Sequence, residues 1–267
     1  MAGAKDHPAQ LARTSGRAAF GTDAAGYHDA RTGYPEGLYD RIFSRLPPKP
    51  DVLEIGAGTG LVTEELLRRD PGRLVVVEPD PALVDFMARR MDDPRLDLIV
   101  SAFPDDPVEG SFDLVACAAA FHWMEPAPAL ARVRQLLARG GTWAVWWNSY
   151  RNAGQGDPLA DAISPLLKGI ALPPSDRIDG HYSLDEQLHR SLLLDAGFTD
   201  IEHHCYRTER FLSTAQVVKL FESYSYIRLL EPAHRTSFLE SLASLVDRQF
   251  GGTAPNLILT SMYLARA

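Results

Sequence analysis

Three glycines spaced two apart, Gly56, Gly58 and Gly60, stand between an acid two residues upstream, Glu54, and a second acid about twenty residues downstream, Glu78. Their types and spacing carry the first chemical message of the chain. The apolar run ending at Ile55 reads as a strand, and Leu61–Leu67 reads as a helix. A strand, a glycine turn and a helix bring bare backbone against a ligand, because glycine has no Cβ to hold the ligand off. The helix start adds unpaired N–H groups and a positive dipole end. An acid closing the second apolar run, Leu74–Val77, is placed to accept hydrogen bonds from both hydroxyls of a ribose and to repel a ribose 2′-phosphate.

The spacing separates the candidate cofactors. Dinucleotide folds use G-x-G-x-x-G and aim the helix at a pyrophosphate. Here the pattern is G-x-G-x-G, and Glu54 is badly placed for a pyrophosphate but well placed for an ammonium. A nicotinamide oxidoreductase is disfavoured on both counts. S-adenosylmethionine carries an ammonium, a sulfonium and no phosphate. The run Glu54-Ile-Gly-Ala-Gly-Thr-Gly60, followed by Val-Val-Val-Glu78-Pro-Asp80, resembles the class I S-adenosylmethionine-dependent methyltransferases. The later run Phe112-Asp-Leu-Val-Ala-Cys-Ala-Ala-Ala-Phe121-His122-Trp123 looks like the small-molecule branch related to quinone-biosynthesis and trans-aconitate methyltransferases. The resemblance extends from about Tyr27 to the C-terminus.

The resemblance implies roles for particular residues. Glu54, Gly56 and Gly58 would hold the methionine half of the cofactor, with Thr59 beside them, and Glu78 would take the ribose, with Pro79 next to it. Ala102 and Phe103 would flank adenine, Ala118 and Ala119 would present backbone, and Tyr27, Arg31 and Tyr34 would close over the carboxylate. The sequence departs from the family at the adenine. Relatives often place an acid near the end of the third strand, where Ser101-Ala102-Phe103 stands here.

Methyl transfer from a sulfonium is an in-line displacement with a neutral thioether as leaving group. It needs alignment, which can supply up to roughly 7–11 kcal/mol, and at most one proton acceptor. His122, on the loop after the fourth strand, reads either as that base or as pocket lining. Phe121, Trp123 and Trp147 are the aromatic candidates for the substrate wall, joined by Tyr224 and Arg228 from a later aromatic-rich helix. His203-His204-Cys205 is not expected to bind a metal, since neighbouring strand residues point to opposite faces. Methyl transfer to oxygen, nitrogen or carbon of a small molecule is the leading reading. The alternative is a protein that uses the same cofactor for a non-methylating reaction such as cyclisation, or a non-catalytic regulator.

The scaffold follows from punctuation. Pro35 opens a helix carrying Leu38, Ile42 and Leu46, and Pro47-Pro48-Lys49-Pro50 ends it. Helix one stops at Asp70-Pro71-Gly72, and Asp80-Pro81 caps the next helix, through Met91. Strands follow at Leu96–Ser101, Phe112–Cys117 and Thr142–Trp147, with a helix from about Ala127 to Ala138 stopped by Gly140-Gly141. The alternation predicts a Rossmann-like, doubly wound α/β sheet. The resemblance gives it seven strands in the order 3-2-1-4-5-7-6, with the last strand antiparallel.

Capping boxes are read at Ser183–Glu186 and Ser213–Gln216, a sixth strand at Ile201–Tyr206, one helix from Val217 to about Leu230, another from Pro232 to Gly251-Gly252, and a final strand at Leu257–Ala265. The reading is one methyltransferase domain. Lid segments 1–46, 148–182 and 211–252 cover a core of 47–147, 183–210 and 253–267. Residues 1–21 read as an arm with a weak helix over 8–14.

At 267 residues and 45% hydrophobic, the chain can bury a large core. Its net charge of −8, with no Lys/Arg cluster, disfavours nucleic acid as a partner. Two cysteines in apolar runs suit a reducing compartment. With no signal sequence or spanning segment evident, a cytoplasmic monomer or homodimer without membrane contact is expected.

Overall fold

The computed structural model describes residues 24–150, 152, 156–173, 175–177 and 180–267. The arm and the weak helix over 8–14 lie outside the described residues. Two helices, α1 (Ala24–Ala30) and α2 (Glu36–Phe43), precede β1 (Asp51–Ile55). Then come α3 (Leu61–Arg68), β2 (Arg73–Glu78), α4 (Pro81–Arg90), β3 (Leu96–Val100), β4 (Phe112–Ala118), α5 (Pro126–Leu136) and β5 (Leu137–Ser149). After α6 (Pro158–Ile163) a small ribbon, β6 (Asp176–Arg177) and β7 (Gly180–His181), leads into α7 (Glu186–Asp195) and β8 (Thr199–Ser213). The chain finishes with α8 (Thr214–Glu222), α9 (Ser225–Arg228), α10 (Pro232–Phe250) and β9 (Thr253–Arg266).

The main sheet runs β3-β2-β1-β4-β5-β9-β8. The first five strands are parallel, and β9 is antiparallel to both β5 and β8. Leaving the ribbon aside, this is the expected order 3-2-1-4-5-7-6 with the last strand antiparallel. Strands β1, β2 and β4 are apolar almost throughout because helices cover both faces. One face carries Leu53, Val75, Val115, Val145 and Tyr263; the other carries Val52, Leu74, Leu114, Ala144 and Met262. The period-2 alternation of a strand divides these two sets.

A third apolar cluster lies apart from the sheet's two faces. Leu159, Ile163, Leu167, Val217, Phe221, Ile227, Phe238 and Leu242 pack together, so segments 148–182 and 211–252 share a core of their own.

Several elements depart from the sequence reading. Gly140-Gly141 does not stop α5; the helix gives way directly to β5, and both glycines lie inside that strand. A Cβ at Gly141 would come within 2.9 Å of the Phe112 carbonyl oxygen, so the glycine marks a close backbone approach where the β4–β5 register shifts. The cap of α7 is Asp185, which accepts from the Leu188 N–H at 3.0 Å, rather than Ser183. Ser183 is fully buried, and its carbonyl accepts from Ser261 Oγ and Tyr263 Oη. The Ser213–Gln216 capping box is present with both halves formed. The helix read from Val217 to Leu230 is broken. Ser223 Oγ donates to the Leu220 carbonyl and Tyr224 is extended, so Tyr224 does not share one continuous helical face with Phe221 and Arg228.

Candidate functional site

The three glycines occupy the turn between β1 and α3, all with left-handed φ, and each for its own reason. A Cβ on Gly56 would lie 2.5 Å from that of Ala120, across the β4 end. A Cβ on Gly60 would strike Met91 and Met87 of the α4 region. A Cβ on Gly58 would meet nothing within 4 Å; it would project into open space. Gly56 also donates to the Val77 carbonyl at 2.8 Å, which ties the turn to the end of β2.

That open space is a cleft of about 1140 Å³, counted to its mouth, at the carboxyl ends of the parallel strands. Glu54, Gly56, Gly58, Thr59, Glu78, Pro79, Phe103, Ala118 and Ala119 line it, with Arg31 and Tyr34 arriving from the N-terminal segment. The sequence reading named all of these. Ala102 does not line the cleft, and its N–H is taken by the Asp106 carboxylate at 2.6 Å. Ser101 lines it instead, with a buried hydroxyl that finds no hydrogen-bond partner among the described residues. Tyr27 lies on α1, and its side chain is outside the described residues. His28 of α1, not singled out in the sequence, sits 3.2 Å from Thr59 Oγ1 through Nδ1 and so fastens α1 to the glycine turn.

Two carboxylates shape the cleft differently. Glu78 accepts from the Gly58 N–H at 2.9 Å and from the Asp80 N–H at 3.1 Å. Glu54 is buried, and the only hydrogen bond described for its carboxyl comes from Thr63 Oγ1 at 2.7 Å. Burial drives its pKa up to about 8, opposed by the Thr63 bond and assisted by the nearby Glu78. A carboxyl so short of charge compensation is suited to receive a cation.

Residues 52–141 match the methyltransferase domain family model. A methyltransferase-like protein of Schizosaccharomyces pombe is 26% identical over 86% of this chain and 87% of its own length. An uncharacterised methyltransferase of Mycobacterium tuberculosis is 26% identical over 85% of each. Among solved structures, one assigned to a type II methyltransferase of Anaeromyxobacter dehalogenans superposes with a TM-score of 0.64, at 20% identity, over 89% of this chain and 97% of that one. The family match and these relatives indicate a class I S-adenosylmethionine-dependent methyltransferase, and the solved structure shares its fold.

The residues of the methyltransferase cleft fit S-adenosylmethionine. A carboxyl lacking charge compensation is present for an ammonium, open space faces the bare Cα of Gly58, and the Ser101 hydroxyl is left for a polar partner.

Beyond the cleft lies a second chamber of about 630 Å³ that shares Arg31, Ala119, Trp123, Asn148 and Tyr150 with it. His122, Trp147 and Tyr224 line this chamber, together with Tyr226, Ser225 and His181, which the sequence reading did not single out. The break between α8 and α9 brings Tyr224, Ser225 and Tyr226 to it. Phe121 lines neither chamber; it is buried with its ring 5.8 Å from that of Trp143. Arg228 also lines neither. His122 Nδ1 accepts from the Trp147 indole N–H at 3.1 Å.

Ala119, at the junction of the two chambers, has φ 50°, rare for a residue with a Cβ, and its N–H is fixed to the Trp146 carbonyl at 2.8 Å. Asn148 ties the junction together. Its side-chain oxygen accepts from Thr260 Oγ1 at 2.6 Å, and its amide reaches the carbonyls of Thr32 and Gly33 at 3.4 Å.

Among the described residues there is no group of three or more His, Cys, Asp or Glu suited to a metal. His203 and His204 point to different partners, Ser261 with Glu186 and Glu202 respectively. Among the described residues no helix is long and apolar enough to cross a membrane.

Proposed function

We propose that the methyltransferase transfers the methyl group to a small molecule held in the second chamber. The observation that carries this reading is the pair of joined chambers, one bearing the acids Glu54 and Glu78 and the other bearing aromatic rings and His122. When bound, the cofactor supplies an electrophilic methyl carbon with a neutral leaving group. The chain's own part is positioning. Glu54 and the glycine turn hold the methionine end, Glu78 takes the ribose, and Ser101 with Phe103 takes the base. Thr59, Pro79, Ala118 and Ala119 complete the walls.

Arg31 and Tyr34, which line the first chamber, close over the carboxylate of the cofactor, and Tyr27 is assigned to the same role. Trp123, Trp147 and Tyr224 wall the acceptor, and the acceptor atom is oxygen, nitrogen or carbon. The N-terminal segment and the clustered helices of 148–182 and 211–252 act as a lid over a core of 47–147, 183–210 and 253–267. They exclude water while the acceptor is aligned. The same reading makes this one domain, in the cytoplasm, as a monomer or homodimer that contacts neither nucleic acid nor membrane.

Calorimetry with S-adenosylmethionine and with NAD tests the cofactor half of this reading; only the former binds. Formation of S-adenosylhomocysteine in the presence of a mixed acceptor pool tests the transfer half. A protein that binds the cofactor but never yields that product is a binder and not a transferase.

A further inference from the structure

We propose that His28 is a positioning residue for the cofactor: held by Arg90, it turns the Thr59 hydroxyl into a hydrogen-bond donor for the carboxylate at the methionine end of S-adenosylmethionine. This rests on the cofactor assignment and adds to it a residue outside the cleft and a direction of hydrogen bonding.

Three helices and the glycine turn meet at His28. The residue stands on α1, and its ring lies 5.8 Å from the Phe86 ring of α4. Arg90, the last residue of α4, covers the same Phe86 ring at 5.2 Å. Its Nη2 is 3.2 Å from His28 Nε2 and 3.2 Å from Glu64 Oε1 of α3. The other ring nitrogen of His28, Nδ1, is 3.2 Å from Thr59 Oγ1. Glu64, Arg90, His28 and Thr59 thus form a continuous polar chain that ends in the wall of the cleft.

Chemistry fixes the direction of each bond in that chain. A guanidinium donates and cannot accept. His28 Nε2 therefore accepts from Arg90, and a neutral imidazole whose Nε2 accepts carries its proton on Nδ1. That proton is donated to Thr59 Oγ1. The other tautomer would set two N–H groups against each other at the Arg90 end.

The consequence falls on Thr59. One lone pair of its hydroxyl is filled by His28, so its own proton needs a different acceptor. Thr59 is only 2% exposed, and among the described residues its hydroxyl bonds to His28 alone. Leaving a buried O–H without an acceptor costs free energy. Thr59 lines the cofactor cleft, so an oxygen of the ligand can relieve that cost.

The turn itself selects the ligand atom. Thr59 follows Gly58, whose missing Cβ opens onto the cleft, and Glu54 at the other side of the turn is suited to the ammonium. In S-adenosylmethionine the ammonium and the carboxylate share one carbon. A carboxylate is also the strongest acceptor on the molecule, and a charge-assisted bond is about twice as strong as a neutral one.

Calorimetry on the full-length protein with two ligands tests this. One is S-adenosylmethionine; the other is its decarboxylated form, which keeps the ammonium, the sulfonium and the nucleoside. His28→Ala should weaken S-adenosylmethionine binding about tenfold and leave the decarboxylated ligand within about twofold of the parent. Thr59→Val should show the same split. His28→Ala added to Thr59→Val should cost less than about a further twofold, because both changes remove one interaction. If His28 serves only to dock α1 on α4, its loss weakens both ligands alike and adds in full to that of Thr59→Val; either result overturns the proposal and leaves the cofactor assignment standing. Nitrogen-resolved NMR of the free protein at mildly alkaline pH should find His28 protonated at Nδ1 and bare at Nε2, and the opposite tautomer overturns the proposal without reference to any ligand. A parent protein that fails to bind S-adenosylmethionine overturns both.

Discussion

The Glu78 carboxylate accepts a hydrogen bond from the Gly58 N–H at 2.9 Å, across the gap between the end of β2 and the glycine turn after β1. One acid thus lines the cofactor cleft and also braces the turn that forms its floor. The two roles separate by measurement. Glu78→Ala should weaken S-adenosylmethionine binding about a hundredfold in calorimetry, with a stability loss of about 1–2 kcal/mol from the freed N–H groups. Undiminished affinity in that variant would remove Glu78 from the ribose site.

Glu54 should make the free protein's stability fall as pH rises. Its folded pKa, about 8, lies above its ordinary value of 4.5 because burial disfavours the charge. The folded state therefore holds a proton that the unfolded chain releases from pH 4.5 upward. Its stabilising contribution is complete below about pH 4.5 and is lost progressively until the pH passes 8, with a limiting slope of about 1.4 kcal/mol per pH unit. Urea unfolding at pH 5 to 9 should show this slope in the parent and not in Glu54→Gln. Cofactor binding at pH 7 should release close to one proton, read by calorimetry in buffers of different ionisation heat, and should release none in the variant.

Alanine at two of the glycines should fail in different ways. Gly56→Ala places a methyl 2.5 Å from Ala120 Cβ in a backbone with φ 71°, so both folding and binding suffer. Adding Ala120→Gly removes the contact but leaves the backbone cost of roughly 1–2 kcal/mol. Gly58→Ala pays only the backbone cost and directs its methyl into the cleft. Its loss of cofactor affinity should exceed its loss of thermal stability, as judged by calorimetry beside thermal unfolding.

Ser101→Ala should have effects of opposite sign. The free protein loses a buried hydroxyl that has no partner among the described residues, so its unfolding free energy should stay level or rise by up to about 1 kcal/mol. Affinity for S-adenosylmethionine should fall about three- to tenfold, because the hydroxyl no longer meets the base. Unchanged affinity would assign the base to apolar contacts alone.

Much of this was written locally in the chain. The apolar runs, the proline and glycine stops and the spacing of Glu54, Gly56, Gly58, Gly60 and Glu78 act within a few residues or within one βαβ unit, where the chain's own stereochemistry dominates. They determined the parallel half of the sheet and most of the cleft's lining. The order and antiparallel sense of β8 and β9 came from the resemblance, because strand pairing across long connections leaves no local trace.

Tertiary structure decided what depends on partners distant in sequence. Gly140-Gly141 resembles a helix stop by composition, and only the Phe112 carbonyl beside Gly141 makes it part of a strand. Ser183 heads a capping box in the sequence, but its burial against Ser261 and Tyr263 hands the cap to Asp185. The break at Tyr224, which builds the second chamber, depends on a serine side chain competing for a helical carbonyl. The tautomer of His122 is set by Trp147, twenty-five residues away. Periodicity reports which face of an element is buried, but not which donor fills a lone pair. That choice is made only when separate strands are packed side by side.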